Sequence, residues 1–529
     1  MTSVYNSALL KLKLRAERYD RAHIIQTFVD VDPLLALLKT EDHQVLYGRR
    51  GTGKTHALEY LAGSVEEVGD ISISIDMRTI GSNGGLYADH GLPISQRATR
   101  LLVDTLQAIH EQIFNIVVSD EGSYDLSKLG PKLDAFLTSA SEVVVNGTVS
   151  SEFGREDKTD EVSGLNLGFK AGTKGFELGG GGDSKDQNSV TLTSKRSTSG
   201  VEYSRVHFGS LHKELKSLCD ELENKRLWIL IDEWSEVPLD LQPYLADLIR
   251  KSLLPVRMMT VKIAAIEQRT NFNLSNGSGG YIGIEVGADV TANTNLDDFM
   301  VFENDQERAK SFFENFLFKH LSPILPEDLV KEIATPQELV RRMFTQANAF
   351  GEFVRASEGV PRDAINILNH AAQQALDDQI SIPDIRVAAK KWFANGKEKA
   401  VQDANAQKFL RWLIDEVIAH RQARAFLLRS DARYPLVDYL FDSRVLHVVK
   451  HGVSGQDKPG VRYDVYSIDY GCYVDLMNTA KAPKGLFDVS AEDGDNGGEF
   501  VDVPINDYRS IRRAILDIDK FEALNKADG

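Results

Sequence analysis

The chain has 529 residues, of which 42% are apolar and 26% charged, and a net charge of −17, a composition typical of a folded protein with two to four domains. Its only cysteines, Cys219 and Cys472, exclude a disulfide framework and favour the cytoplasm. No apolar stretch approaches the ~18 residues of a membrane helix, and the acidic balance opposes unspecific nucleic-acid binding by the molecule as a whole.

The N-terminal part of the chain is expected to be a helical segment, residues 1–30, followed by an α/β core at residues 31–295. The core opens with a short buried strand at residues 44–47, and a helical pattern begins at His56. Between them, residues 48–55 read Gly-Arg-Arg-Gly-Thr-Gly-Lys-Thr. This run matches the phosphate-binding loop G-x-x-x-x-G-K-[ST] and has the strand and helix that must flank it. The motif predicts a nucleoside-triphosphate site.

The residue types of this loop fit the chemistry of phosphate binding. Glycines let the backbone turn tightly and point its N–H groups at an anion. The lysine adds a mobile positive charge, and the following helix directs its dipole at the phosphates. For Arg49 and Arg50 the sequence leaves open a contact with the nucleotide, a contact with a neighbouring subunit, or exposure to solvent. The expected nucleotide-binding residues are Gly48, Arg50, Gly51, Thr52, Gly53, Lys54, Thr55 and His56.

Residues 141–207 interrupt the core with a segment rich in glycine, serine and threonine. Apolar residues recur in it with a period of two, as at Leu165, Leu167 and Phe169, and residues 179–182 are all glycine. One interpretation is a disordered low-complexity insertion. The other, which the spacing favours, is a set of two or three β-hairpins. Hairpins with apolar faces need a partner, so we expect an oligomer contact here.

The second half of the nucleotide site follows this insertion. Residues 227–231 read as an apolar strand that ends in Asp232 and Glu233. Asp232 is expected to hold magnesium together with Thr55, and Glu233 to orient the attacking water as a general base. Adjacent acids at this place are typical of ATPases with an extra central strand, and the guanine-reading motif N-K-x-D is absent from the sequence. ATP with Mg²⁺ is therefore the expected ligand.

The rest of the chain divides into three parts by pattern. Residues 296–399 are helical throughout, and the family resemblance described next implies that they form a lid. Residues 400–477 combine two helices with two strand-like runs around a turn, which is the pattern of a winged helix. Residues 478–529 read as an acidic linker and a last helix over residues 507–524.

This order of parts resembles initiator-type AAA+ ATPases, the origin-recognition and replication-initiator group, over residues 30–475. The resemblance implies an α/β fold: a P-loop NTPase parallel sheet of the AAA+ type with a β-hairpin insertion, a helical lid and a winged-helix domain. It also implies a role for Arg362, which opens a lid helix after Gly359-Val360-Pro361. In such ATPases the arginine at this place, called sensor 2, reaches the γ-phosphate.

Two further roles that the resemblance implies match this sequence less closely. The sensor strand, residues 261–266, is followed by Glu267 and Gln268 where the family has Asn, Ser or Thr. Gln268 is the residue that could hold the lytic water. Arg269 is the nearest candidate for the arginine finger that reaches a neighbouring subunit, and an ordinary surface cation is an equally good interpretation of it.

Three functions are compatible with these features. The first is an ATPase that acts on double-stranded DNA through the winged helix and forms a homo-oligomer. The second is a nucleotide switch in signalling or antiviral defence, similar to STAND ATPases, which also carry a Gly-x-Pro motif and would act through a partner protein. The third, a non-hydrolysing scaffold, conflicts with the presence of Glu233. The candidate contacts to DNA phosphates are Arg429, Arg433, Lys450, Lys458 and Arg462.

Overall fold

The structure is a computed structural model, and it describes most of the chain. Described are residues 3–477, 483 and 514–527, apart from residues 16–17, 32, 81–86, 88, 90, 121–123, 141–142, 152–195, 205–207, 223–224, 276–279, 298–304, 433 and 455–459. The apolar repeats predicted at residues 165–192 and the acidic linker at residues 488–502 lie outside this part. No helix within it is both long and apolar enough to cross a membrane.

The described residues alternate strands and helices in the first half of the chain and are mainly helical in the second. In chain order the strands are β1 Gln44–Tyr47, β2 Ile71–Asp76, β3 Val143–Ser151, β4 Arg196–Ser204, β5 Leu227–Asp232, β6 Met259–Ala265, β7 Asn273–Ser275, β8 Tyr281–Gly283, β9 Thr291–Asn295, β10 Ala425–Arg429, β11 Leu446–Ser454 and β12 Arg462–Ile468. The helices are α1 Val4–Leu9, α2 Arg21–Thr27, α3 Leu34–Leu38, α4 Lys54–Glu67, α5 Ile94–Ser119, α6 Leu126–Ala140, α7 Phe208–Glu221, α8 Gln242–Ser252, α9 Gln306–Leu321, α10 Glu327–Glu332, α11 Pro336–Met343, α12 Ala347–Ala356, α13 Pro361–Ala375, α14 Ile382–Trp392, α15 Ala404–Leu413, α16 Pro435–Asp442, α17 Tyr470–Tyr473 and α18 Ile518–Ala527.

The central sheet has five strands in the order β2-β5-β6-β1-β9, and every pair in it is parallel. The runs at residues 44–47, 227–231 and 261–266, and the alternating run of Ile and Ser at residues 71–75, which likewise predicts a strand, are all part of it. The fifth strand, β9, was not expected because its sequence, Thr-Ala-Asn-Thr-Asn, is polar. Parallel strands bring their carboxyl ends to one edge, so the phosphate loop after β1 and the acids after β5 lie close together.

Both faces of this sheet are covered by helices, because successive side chains of a strand point to opposite sides. On β5, Ile229 contributes to the core beneath α5, α6, α7 and α8. Its neighbour Leu230 packs instead with Leu58 and Leu61 of α4. The prediction of an α/β fold with a P-loop parallel sheet is confirmed.

The lid is an array of helices from α9 to α14 that shares its core with the N-terminal segment. Sequence signals fix several of its helix starts: Thr335 caps α11, and Ser381 and Asp384 form a capping box on α14. The same apolar core includes Leu9 of α1 and Leu38 of α3. The N-terminal helices therefore join the lid to the sheet.

Residues 404–477, called the winged region below, contain a three-stranded antiparallel sheet in the order β10-β12-β11. Helix α15 precedes this sheet, and α16 lies between β10 and β11. Strand β10 was not expected from the sequence, where its five residues read as a connection between two helices. Among the described residues between β10 and β11, which are all of them except residue 433, α16 is the only helix.

The structure corrects the prediction for the last helix and describes the base of the predicted insertion. The last helix does not run through residues 507–524: Ile515 forms a β-bridge with Leu427, and α18 begins at Ile518. The bridge covers the free edge of β10, which would otherwise expose unpaired backbone groups. In the insertion, β3 and β4 form an antiparallel ribbon in register from Val143 with Ser204 to Ser151 with Arg196, as the hairpin interpretation expects for its base.

Candidate nucleotide site

The phosphate loop between β1 and α4 turns at two glycines. Gly51 and Gly53 have φ angles of 90° and 99°, in the left-handed region that favours glycine. Helix α4 begins at Lys54, so its first N–H groups point at the loop. The Lys54 Nζ is buried and donates hydrogen bonds to the carbonyl oxygens of Gly48 and Arg49, at 2.8 and 3.0 Å. Lysine, loop and helix start therefore form a positive cradle suited to phosphate.

Asp232 and Thr55 lie together where a magnesium ion is expected. The Thr55 hydroxyl donates to the Asp232 carboxylate at 2.6 Å. Burial raises the pKa of Asp232, and the Thr55 hydroxyl and the Lys54 ammonium oppose this effect. A carboxylate and a hydroxyl are ligands that Mg²⁺ prefers, with phosphate oxygens and water completing its shell. The described residues contain no cluster of three or more His, Cys, Asp or Glu able to hold a metal by themselves.

Glu233 stands beside this pair in an unusual backbone conformation. Its φ angle is 54°, a left-handed value that costs a non-glycine residue about 1 kcal/mol and recurs at functional sites. Burial, followed by the charge of Asp232, raises the pKa of Glu233, while Lys54 and Arg78 lower it. A partly buried carboxylate with a raised pKa is suited to general-base catalysis.

Arg78 is a neighbour of Glu233 that sequence reasoning missed. Its guanidinium lies 3.7 Å from the Glu233 carboxylate and 2.6 Å from the carboxylate of Asp76. Asp76 ends β2 and is paired in register with Asp232 of β5. In the sequence, Arg78 is a cation two residues after a strand. It can be assigned to the site only when β2 is known to lie beside β5.

Arg362, the sensor 2 candidate, contacts the phosphate loop. Its backbone N–H donates to the Gly51 carbonyl at 3.3 Å, and a Cβ on Gly51 would stand only 2.7 Å from the Arg362 Cβ. The turn before it carries two left-handed residues, Glu358 with φ 50° and Gly359 with φ 72°. This turn places the start of α13 against the loop, so the lid and the candidate site are in direct contact.

Arg49 is neither exposed nor free, which the sequence could not show. Its side chain is 1% exposed and pairs with Asp297 at 2.7 Å. Its other nitrogens contact the His447 ring and donate to the Glu358 carbonyl, the latter at 3.0 Å. An arginine in a polar loop therefore joins the sheet edge, the lid and the winged region.

Gln268 and Arg269 lie in a 3₁₀ turn after β6. The buried Oε1 of Gln268 has no hydrogen-bond partner among the described residues, and this side chain lines a small cavity with Gly48, Asn295 and Phe441. Arg269 pairs with Asp442 at the end of α16, at 3.3 Å. The finger candidate thus has a partner within its own chain.

Three other expected nucleotide contacts have partners in the protein. The partly exposed Arg50 pairs with Glu236 at 2.6 Å. The Thr52 hydroxyl donates to the Arg49 carbonyl at 2.9 Å, which shapes the loop. The His56 ring donates to the Ile24 carbonyl at 2.7 Å and packs against Phe28, so its side chain holds α2 on α4.

Comparisons with known proteins give one family match and one similar solved structure. The ORC-CDC6-like family model matches residues 13–78, which include β1, the phosphate loop and α4. The solved structure of the Aeropyrum pernix ORC1 protein in complex with DNA is similar at 11% identity and a TM-score of 0.27, covering 89% of this chain and 96% of that chain; a score so low carries no argument. Among curated proteins, none matches. The resemblance to origin-recognition-like proteins is thus confirmed over residues 13–78, the segment that carries the phosphate loop.

Proposed function

We propose that the chain is an ATPase that binds ATP with Mg²⁺ and hydrolyses it. The observation that carries the proposal is that three distant parts of the sequence meet at one edge of the sheet. Lys54 and Thr55 come from the phosphate loop, Asp232 and Glu233 from β5, and Arg362 from the lid. Each residue type has a distinct use in phosphoryl transfer, and a purely structural cluster does not require this combination.

In the proposed reaction each of these side chains has a separate role. Lys54 and the loop N–H groups bind the outer phosphates. Thr55 and Asp232 would hold the magnesium ion, which would supply positive charge next to the phosphates. Glu233 accepts a proton from the attacking water. Arg362 binds the γ-phosphate from the lid side, so that the lid position depends on whether this group is present.

We further propose that the ATPase acts on double-stranded DNA as a homo-oligomer. Support comes from the ORC-CDC6-like match and from cations on the wing, where Lys450 and Arg462 are exposed. Arg429 is paired with Asp431 at 2.6 Å, which makes it a weaker candidate. Arg433 and Lys458 lie outside the described residues.

A second candidate function is a STAND-like switch that acts through a partner protein. The docking of the winged region onto the ATPase core favours it. Phe441 and Val448 of this region form one apolar cluster with Ile266, the residue after β6, and Asp442 pairs with Arg269. Helix α16, the one described helix between β10 and β11, thus has its carboxyl end on the core.

Two measurements test these proposals. Steady-state ATP hydrolysis with and without Mg²⁺ tests the ATPase, which predicts turnover that depends on the metal. Binding of a labelled DNA duplex at about 50 mM and about 200 mM salt tests the proposal that the protein acts on DNA. A DNA-acting protein should bind at the lower salt and lose at least about tenfold in affinity at the higher. Absence of binding at low salt would contradict the DNA proposal and support the switch.

A further inference from the structure

A series of buried charged and polar side chains connects the phosphate loop to the winged region, and the proposed chemistry does not use it. Each member contacts the next by a hydrogen bond or an ion pair, and all but the last are buried. We call it the buried polar chain. In order, its members are Arg49, His447, Asp469, Lys397, Asp363 and Arg444.

The first link joins two parts of the sequence that are 398 residues apart. The Arg49 backbone N–H and Nε both donate to the Asp297 carboxylate, at 2.9 and 2.7 Å. This double contact fixes the direction of the arginine, so that its terminal nitrogens face the His447 ring and the Glu358 carbonyl. The opposite side of the same residue, its carbonyl oxygen, accepts the bond from Lys54.

Hydrogen-bond chemistry fixes the state of the His447 ring. A guanidinium can only donate, so Nδ1, the nitrogen that faces Arg49, must be an acceptor. The other nitrogen, Nε2, then carries the proton and donates to Asp469 at 3.0 Å. Burial and the Arg49 charge lower the pKa of His447 to about 4, which keeps the ring neutral. Histidine at this place is thus an acceptor toward the loop and a donor toward the winged region's own acid.

The remaining members anchor His447 and reach the lid. Lys397 pairs with Asp469 and, at 2.8 Å, with Asp363. Asp363 follows Arg362 on α13 and binds Arg444 at 2.7 Å. With His447 neutral, and with Asp297 counted on the Arg49 side, three cations face three anions. A balanced set of this kind is stable when complete and costly when one member is removed.

We propose that His447 is a positioning residue for the phosphate loop: by accepting the Arg49 hydrogen bond, it holds the loop in its binding shape. The inference rests on the proposed nucleotide binding at this loop. Its consequence follows from thermodynamic reciprocity. If docking of the winged region favours nucleotide binding by some factor, nucleotide binding must favour docking by the same factor.

The affinity for a non-hydrolysable ATP analogue with Mg²⁺, measured by calorimetry, tests this inference in the full chain. Leu and Asn have nearly the same size and branching, but only Asn offers an acceptor to Arg49. We expect His447→Leu to lower the affinity for the analogue by about tenfold, as is typical of coupling between sites. His447→Asn should retain most of the affinity of the unaltered chain. His420→Leu is the control, because His420 is an exposed histidine of the same region.

A second measurement protects the test against a variant that folds poorly. In the unaltered chain, the analogue should slow hydrogen exchange of β11 amides near His447. Unchanged exchange there, or equal affinities for the Leu and Asn variants, would overturn the positioning role. If the unaltered chain failed to bind the analogue at all, the proposed function would fall first, so the two failures are distinguishable.

Discussion

The Arg78 guanidinium lies 3.7 Å from the Glu233 carboxylate. Arg78 follows the end of β2, the strand that neighbours β5 in the central sheet, by two residues. Glu233 is shielded from water and stands next to Asp232, and both conditions raise its pKa. Arg78 and Lys54 are the cations that oppose this rise. Arg78 therefore helps to keep the proposed base ionised, which a general base must be before it can accept a proton.

Replacing this cation should shift the pH profile of ATP hydrolysis. In Arg78→Ala the pKa of Glu233 rises further, so the acid limb of kcat against pH moves to higher pH. Arg78→Lys, which keeps a positive charge, should move it less. Steady-state kinetics between about pH 5 and pH 8 measure the limb. A profile that is identical in the alanine variant would contradict the electrostatic role of Arg78.

Glu233→Gln should separate binding from hydrolysis. The amide keeps the size of the side chain but cannot accept a proton, so hydrolysis is expected to fall by about 10²- to 10⁴-fold with ATP affinity nearly unchanged. Glu236→Gln is the matched control, because Glu236 is partly exposed and pairs with Arg50. Normal turnover by the Glu233 variant would show that another group activates the water.

Arg362→Ala should reduce the preference for ATP over ADP. The backbone N–H of Arg362 continues to hold Gly51, so the substitution removes the guanidinium alone. We expect ATP to bind about tenfold more weakly, since a charge-assisted contact is worth about 1.5–3 kcal/mol, and ADP to bind as before. Calorimetry with both nucleotides measures this, with the exposed Arg341→Ala as control. An equal loss for ATP and ADP would argue against a contact with the γ-phosphate.

His320 should make the folded state sensitive to acid. Burial, together with the nearby His56, His23 and Lys319, lowers the pKa of His320 from 6.5 to about 3. The unfolded chain therefore binds a proton that the folded chain rejects, and stability falls as the pH drops below 6.5. At pH 5 this site alone costs about 2 kcal/mol.

Denaturant unfolding at pH 7 and pH 5 tests this assignment. His320→Phe keeps an aromatic ring beside Phe316 and should reduce the stability difference between the two pH values by about 2 kcal/mol. His420→Phe introduces the same side chain at an exposed position and is measured alongside. An unchanged difference in the His320 variant would mean that the site does not carry the proton linkage.

Local signals in the sequence were sufficient for much of the fold. The strand, loop and helix around Lys54 are contiguous, and so are the apolar strand and its two acids at Asp232 and Glu233. The apolar period over residues 94–118 predicts helix α5, and Ser381 followed by Pro383 predicts the start of α14. Each of these features depends on residues within a few positions of one another.

The missed features depend on distant partners. Strand β9 is polar, and its conformation comes from backbone pairing with β1, which no side-chain pattern encodes. For Arg49 the sequence left contact with the nucleotide, contact with a neighbouring subunit and exposure to solvent open, whereas its burial depends on Asp297 and His447, which are 248 and 398 residues away. The partner of Arg269 likewise comes from the winged region. Contacts between domains therefore cannot be predicted from the local sequence pattern.

The measurement that tests the central claim most directly is ATP affinity in Lys54→Ala, compared with the parent chain and with Lys39→Ala at an exposed position. The claim is that one triphosphate site lies at the phosphate loop. Loss of the buried Lys54 charge should lower the affinity for ATP by about a hundredfold, while Lys39→Ala should bind ATP as tightly as the parent chain. Parent-like affinity in Lys54→Ala would place the nucleotide elsewhere and contradict the account.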